Sequence, residues 1–146
     1  MIYLQDSKLK IQDSHQVARV FQDLLLLEDE VARDKEHFYV MHLDTRQQVK
    51  MVELVSLGTL TGSLVTPRET FRRAVMQGSA SIIVAHNHPS GAVDPSSEDC
   101  KVTKLLHEAG NILGVTLLDH IIFSKNSFYS FKDNRVRHMQ EEERRG

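Results

Sequence analysis

Cysteine is almost missing: Cys100 is the only one in 146 residues. No disulfide can form within the chain, and a reducing, cytoplasmic setting is expected. Long apolar runs are missing too. The longest, such as residues 24–27, fall far short of the roughly 18 residues that a membrane span needs, so no membrane partner is expected. The opening Met1-Ile2-Tyr3-Leu4-Gln5-Asp6 lacks a basic stretch followed by an apolar one and shows no secretory leader. Neither sign of charge dominates, since 18 Lys and Arg face 20 Asp and Glu for a net charge of −2. Overall charge would therefore not hold nucleic acid by phosphate neutralisation, and only a local patch is left for that role. No repeat, low-complexity tract or Gly/Ser-rich linker marks a domain boundary. What is present fits one globular domain. Apolar residues make up 40% of the chain, and a chain of this length buries roughly 70% of its unfolded surface.

Hydrophobic periodicity sets the expected order of elements. Val17, Val20, Phe21, Leu24 and Leu25 recur at helical spacing behind Ser14, the expected N-cap, and the charged stretch 28–36 carries that helix into solvent. Residues 37–43 read as a strand, 44–48 as a turn and 49–57 as the hairpin partner. Thr66-Pro67-Arg68-Glu69 starts a helix, with Thr as cap, Pro at the first position and Glu three residues after the cap. Its inner face is expected to be Phe71, Ala74 and Val75, with Gly78 as terminator. Residues 81–85 form a short, wholly apolar-flanked run that suits a strand buried on both faces. A loop over 87–95 leads to a helix expected to bury Val102, Leu105, Leu106, Ala109 and Ile112. Residues 115–123 and 128–131 read as strands, and 136–145 as a charged terminal helix. Strands alternating with helices after a leading hairpin imply an α/β fold, a mixed sheet sandwiched by helices.

Chemistry concentrates in His86-Asn87-His88-Pro89-Ser90-Gly91 and the following Ser96-Ser97-Glu98-Asp99. Histidines at i and i+2 where a buried strand ends project to one side of the chain and can converge on one metal. Asp99 falls in the first turn of the next helix, where it can add a carboxylate oxygen. Two imidazoles and one carboxylate, with a position left for water, make the donor set of a catalytic zinc. Ser96-x-x-Asp99 is equally a helix cap with an acidic third residue, and the two roles are compatible. Glu53 is a second oddity, because Met51 and Val55 share its face of the strand and Val52 and Leu54 occupy the other. A carboxylate there needs a metal-bound water nearby, an ion pair with Arg68 or Arg72, or an edge position open to solvent.

The run His86-x-His88-Pro89, six residues, Ser96, two residues and Asp99, with an upstream glutamate, resembles the JAMM (MPN-plus) metalloprotease motif. With Gly58-Thr59-Leu60, Pro67-Arg68-Glu69, Ala85 to Gly91 and Leu118-Asp119-His120, it is similar to the RadC family, bacterial proteins long labelled as DNA repair factors. The similarity covers about residues 36–132, the motif-bearing core of a single domain over 1–146. Residues 1–35 form an N-terminal helical segment and 133–146 a charged tail. The resemblance implies a JAMM/MPN, cytidine-deaminase-like architecture with Zn2+ bound by His86, His88 and Asp99. It makes Glu53, ahead of Gly58-Thr59, the general base, and gives Ser96 a hydrogen bond to the forming oxyanion. The implied reaction is hydrolysis of an amide or isopeptide bond in a protein or peptide substrate. In longer family members the matching part is C-terminal, after a helical region of DNA-binding type. Here a short segment with one helix stands in that place, so direct nucleic-acid binding is not implied. Nor are ubiquitin-like substrates, because Asn87 stands where the deubiquitinating branch has serine.

Asp119 and His120 point to opposite faces of their strand, where one can reach the site or both can be satisfied in the core. His15, His37, His42, His107 and His138 are expected on or near surfaces, and Cys100 in the core. Arg68, Arg72 and Arg73 form a basic cluster suited to a phosphate, to an acidic peptide or simply to solvent. The zinc-deaminase pattern fails, since it needs H-x-E and C-x-x-C. Two rivals to a peptidase are a zinc-assisted nuclease or phosphodiesterase and a non-catalytic module. The first wants further carboxylates where only Asp94 and Glu98 are near in sequence. The second is opposed by a motif with every position filled.

Overall fold

A computed structural model describes residues 1–58 and 65–139. Eleven elements follow in chain order: β1 (Ile2–Tyr3), α1 (Ser14–Leu25), α2 (Glu30–Arg33), β2 (His37–Leu43), β3 (Val49–Leu57), α3 (Pro67–Gln77), β4 (Ser81–Asn87), α4 (Ser97–Leu113), β5 (Thr116–Phe123), β6 (Ser127–Ser130) and β7 (Arg135–His138). The strands form one mixed sheet in the order β1-β3-β2-β4-β5-β6-β7. Only β4 and β5 pair in parallel, joined by the crossover helix α4, and every other pairing is antiparallel. The α/β class and mixed sheet are as the sequence implied.

Helices cover both faces of the sheet. On one face α1 packs Val17, Ala18, Phe21 and Leu24 against Tyr39, Met41, Ile83, Ala85, Ile121 and Phe123. On the other, α3 and α4 bring Phe71, Ala74, Val102 and Leu106 onto Phe38, Val40, Ile82 and Val84. Each large apolar side chain buried this way contributes roughly 1.5–3 kcal/mol. Because both faces are covered, β2 and β4 are buried along their whole lengths. That is why their sequences do not alternate apolar and polar.

Several expectations are corrected. The cap of α1 is Asp13, whose side chain accepts from the Gln16 N–H, and Ser14 is the first helical residue. The charged stretch does not extend α1: the chain turns after Leu25 and starts the separate α2 behind its own cap, Asp29. Val75 and Ile112 are exposed, 56% and 85%, and Leu105 is 41% exposed. The buried stripes are narrower than periodicity suggests because α3 and α4 also lie against each other (Thr70 and Gly110 are buried instead). Gly110 is required there, since a Cβ would lie 2.4 Å from the Val115 carbonyl oxygen. Cys100 is exposed, and His37 and His42 are buried. The terminal segment forms the edge strand β7 rather than a helix over 135–138. Residues 140–145 of that expected helix, and Thr59-Leu60, lie outside the described residues.

Candidate metal centre

Pairing brings the pieces of the site to one end of the central strands. His86 lies opposite Phe38 of β2 and beside Ile122 of β5, so its side chain is fully enclosed. One residue beyond β4, the His88 N–H still bonds to the Phe123 carbonyl at 2.9 Å. Pro89 then ends the pairing, and a turn closed by the Gly91 N–H on the His88 carbonyl, with φ +94° at Gly91, reverses the chain. Ser96 starts α4 through a capping box: its Oγ accepts from the Asp99 N–H at 3.1 Å, while Asp99 Oδ2 accepts from the Ser96 N–H at 2.8 Å. The cap thereby fixes the carboxylate over the histidines.

The three donor groups converge. His86 Nε2 lies 3.0 Å from His88 Nε2 and 3.1 Å from Asp99 Oδ1, and His88 Nε2 lies 3.3 Å from Asp99 Oδ2. A tetrahedral zinc with bonds of about 2.0–2.1 Å has ligand-to-ligand edges of about 3.3–3.4 Å, and with one donor atom from each residue lying within 4.8 Å of the others, these residues fit such an ion once the carboxylate turns one oxygen to it. His88 Nδ1 lies 2.8 Å from the Ala92 carbonyl, which only accepts; the ring proton sits on Nδ1 and Nε2 is turned to the cluster. No other group of three or more His, Cys, Asp or Glu among the described residues converges in this way.

The electrostatics follow from burial and contact. Burial pushes the His86 imidazole pKa down, against the pull of the Asp99 carboxylate. At the more open His88, the hydrogen bond with Asp99 outweighs burial and raises it. Burial alone would raise the Asp99 carboxyl, but the contacts with the His86 and His88 rings and the hydrogen bond from the Ser96 N–H hold it well below the usual carboxylate range.

Glu53 is not brought to this cluster. It is level with Val40 and Val84, two strands and two residues from His86, a backbone separation of about 12 Å from ordinary sheet spacings. Both of its oxygens are engaged: Oε2 accepts from Arg73 Nε at 2.7 Å and Oε1 lies 3.0 Å from His42 Nε2. The ion-pair alternative describes its surroundings, with Arg73 in place of Arg68 or Arg72. Arg73 is thereby committed, and the basic cluster is not a set of three equivalent arginines.

The carboxylate that does approach the histidines is Glu36. Its negative charge raises the proton affinity of both His86 and His88. Extending the β2–β4 pairing outward from Phe38 and His86 sets Glu36 opposite His88, on the same face of the sheet. Asn87, facing the other way, clamps this segment: its Oδ1 accepts from the His37 N–H at 2.6 Å and its Nδ2 donates to the Lys35 carbonyl at 3.0 Å. An acidic residue directly before an apolar strand was the signal available in the sequence, but its meaning depends on which strand lies next to β4.

Asp119 and His120 diverge as expected. Asp119 turns away and accepts from Ser130 Oγ at 2.6 Å and from the N–H groups of Lys132 and His120. Burial raises its carboxyl pKa, with those hydrogen bonds opposing. His120 turns toward the site, 2.9 Å from His86 Nδ1 through Nε2 and 2.6 Å from Thr103 Oγ1 through Nδ1. A cleft of about 420 Å³ opens beside His88, lined by Asn87, Pro89, Gln22, Arg33 and Ser124 among others. No helix of the described chain is long and apolar enough to cross a membrane.

Comparison with known proteins agrees with this geometry. A family model described as a RadC-like JAB domain matches residues 11–136. A UPF0758 protein of Chlorobium phaeovibrioides is 41% identical over 132 residues, covering 90% of this chain and 57% of that protein. Another, from Listeria innocua, is 54% identical over 99 residues, or 68% of this chain and 44% of the relative. A third, from Chlorobaculum tepidum, is 47% identical over 102 residues, covering 70% and 46%. The chain thus spans about half the length of the curated relatives it matches.

Proposed function

The chain belongs to the RadC-like JAB domain family, and from that membership and the geometry of the cluster we propose that it is a zinc-dependent hydrolase of amide or isopeptide bonds. One observation carries the reading: His86, His88 and Asp99 each turn a donor atom to one point, with the two imidazole nitrogens 3.0 Å apart and all three donors within 4.8 Å of one another, which leaves a fourth direction for water or substrate. Zinc held by His86, His88 and Asp99 would polarise the scissile carbonyl and bring the pKa of a coordinated water toward about 7. Glu36 accepts the proton of the attacking water and returns it to the leaving nitrogen, the part that the resemblance gave to Glu53. The Ser96 hydroxyl, exposed and accepting only from the helix start, donates to the oxygen on which negative charge develops. Asn87 holds the Glu36 segment in place against the metal strand.

The nuclease alternative has less support. A two-metal mechanism needs a second group of carboxylates, whereas a single convergent cluster is found among the described residues. The test begins with metal content per chain for the wild type and His88→Ala, both checked for folding by circular dichroism. About one zinc per wild-type chain and little in the variant is expected. Wild type and Glu36→Gln are then compared on a panel of peptide, isopeptide and single-stranded DNA substrates. Chelator-sensitive peptide or isopeptide cleavage that Glu36→Gln abolishes supports the proposal. A folded wild type that takes up no supplied zinc overturns it and leaves the non-catalytic module.

A further inference from the structure

His120 is fully buried, and its ring is held between the edge of Phe38 (centroids 6.4 Å apart, 78° between planes) and the stacked ring of Phe131 (4.9 Å, 15°). Both of its nitrogens face a polar partner, and the direction of each hydrogen bond follows from counting protons. Thr103 Oγ1 lies 2.8 Å from the Asp99 backbone carbonyl, which can only accept, so the single hydroxyl proton is spent there. The same oxygen, 2.6 Å from His120 Nδ1, can then only accept, which puts the His120 proton on Nδ1. With its one proton on Nδ1, the ring presents a lone pair at Nε2. His86 Nδ1, 2.9 Å away, must therefore carry the proton and donate it. His86 Nε2 is left as a lone pair, and it is Nε2 that faces His88 and Asp99.

We propose that Thr103 and His120 form a hydrogen-bond relay that fixes His86 in its Nδ1–H tautomer and so presents Nε2 as a metal ligand. Thr103 lies one helical turn after Asp99 on α4, and His120 lies on β5 beside β4. The relay therefore ties together the two elements that supply ligands, starting from the carbonyl of one ligand residue and ending on the ring of another. His88 needs no such device, since its Nδ1 proton is already taken by the Ala92 carbonyl. Thr103 and His120 act as positioning residues, and the value of the relay for metal binding rests on the zinc reading given above. Reversed polarity would place a proton on His86 Nε2, pointing into the cluster, and a ring so protonated cannot ligate.

The test uses the full chain with labelled imidazole nitrogens. In metal-free wild type, long-range nitrogen–proton spectra are expected to show His86 and His120 both as Nδ1–H tautomers. Thr103→Val removes the acceptor with little change of volume, and His86 is expected to lose its single tautomer, with zinc affinity in chelator competition falling about 10–100-fold. Thr103→Ser keeps the hydroxyl and is expected to restore both readings. A wild-type His86 protonated at Nε2, or a Thr103→Val protein with unchanged tautomer and unchanged zinc affinity, overturns the relay. A wild type that keeps the Nδ1–H tautomer but binds no zinc overturns the metal reading and leaves the relay standing, so the two failures can be told apart.

Discussion

Two carboxylates upstream of the histidines have opposite expected roles, and substitution separates them. Glu53 is 6% exposed, and its neighbour His42 is fully buried, with Glu53 on one ring nitrogen and Ser79 Oγ 3.3 Å from the other. In Glu53→Ala, the His42 ring loses a partner in a place that water does not reach, at a cost of about 1–3 kcal/mol. The ion pair with Arg73 adds less, about 0–1 kcal/mol, because that guanidinium is nearly half exposed, at 45%, and is screened by solvent. The sum is a loss of about 1–4 kcal/mol, a sizeable part of the stability of a small domain. Zinc affinity should stay within about threefold of wild type, since some 12 Å of sheet separates Glu53 from His86. Glu36→Gln should do the reverse. Glu36 is half-buried, the amide is nearly isosteric, and stability should change by less than about 1 kcal/mol, while loss of the general base lowers turnover about 10²–10⁴-fold.

Urea unfolding followed by circular dichroism supplies the first quantity, chelator competition the second, and cleavage of whichever panel substrate responds supplies the third. A Glu53→Ala protein as stable as wild type would show that His42 finds another partner and that the network argument is wrong. A Glu53 variant that is fully stable and binds zinc but cannot turn over would return the base to Glu53.

Saturating zinc should stabilise the wild type by about 2.7 kcal/mol at a free concentration 100 times its Kd, and His88→Ala should gain little, as a thermal shift with and without metal will show. Gly110→Ala should lose about 1–3 kcal/mol in urea despite the better helix former, because its Cβ meets backbone 2.4 Å away; equal or greater stability would mean that α4 and β5 can separate without cost. The Asp119 carboxyl pKa is raised on folding, so the native state holds that proton more tightly than the unfolded chain does. Wild-type stability from this group therefore falls as pH rises from about 3.8 through the folded value and stays low above it. Asp119→Asn has no such dependence and should gain on wild type between pH 4 and 7 in urea titrations; a loss over that range would refute the sign.

How much of this was legible in the sequence depended on the range of the interaction. The bounds of β2 and β3 are as expected, because an apolar run, a polar turn and a second run define a hairpin locally. The start of α3 is equally local: Thr66, Pro67 and Glu69 fall at cap, first and third positions. His86, His88 and Asp99 could be singled out because strand alternation and one helical turn suffice to align them. The failures needed the third dimension. His37 and His42 look like surface residues in a strand with polar ends, yet β2 is a central strand covered on both faces. Arg135-Val136-Arg137-His138 has the composition of a solvated tail, and only its pairing along the outer edge of β6 makes it a strand. Val75 and Ile112 fit the helical period but fall beyond the width of the faces that α3 and α4 bury.

The places of Glu53 and Glu36 in the sheet show what kind of information was missing. Glu53 lies within an apolar strand and Glu36 directly before one, and composition gives the more buried-looking one, Glu53, the stronger claim. Register brings Glu36, not Glu53, to the strand next to the histidines. β2 lies between β3 and β4, so a residue at the start of β2 is one strand from the histidines, while any residue of β3 is two strands away. Within β3, antiparallel pairing sends Glu53 toward the middle of the sheet, whereas the residues level with His86 are Phe38 and Ser56. The same register explains why Asn87 stands between the two histidines. On a strand, the residue between two ligands must face the opposite side, and there its amide reaches the backbone on both sides of Glu36. Three consecutive positions thus divide the work by alternation alone, His86 and His88 facing Asp99 and Asn87 holding the segment that carries Glu36.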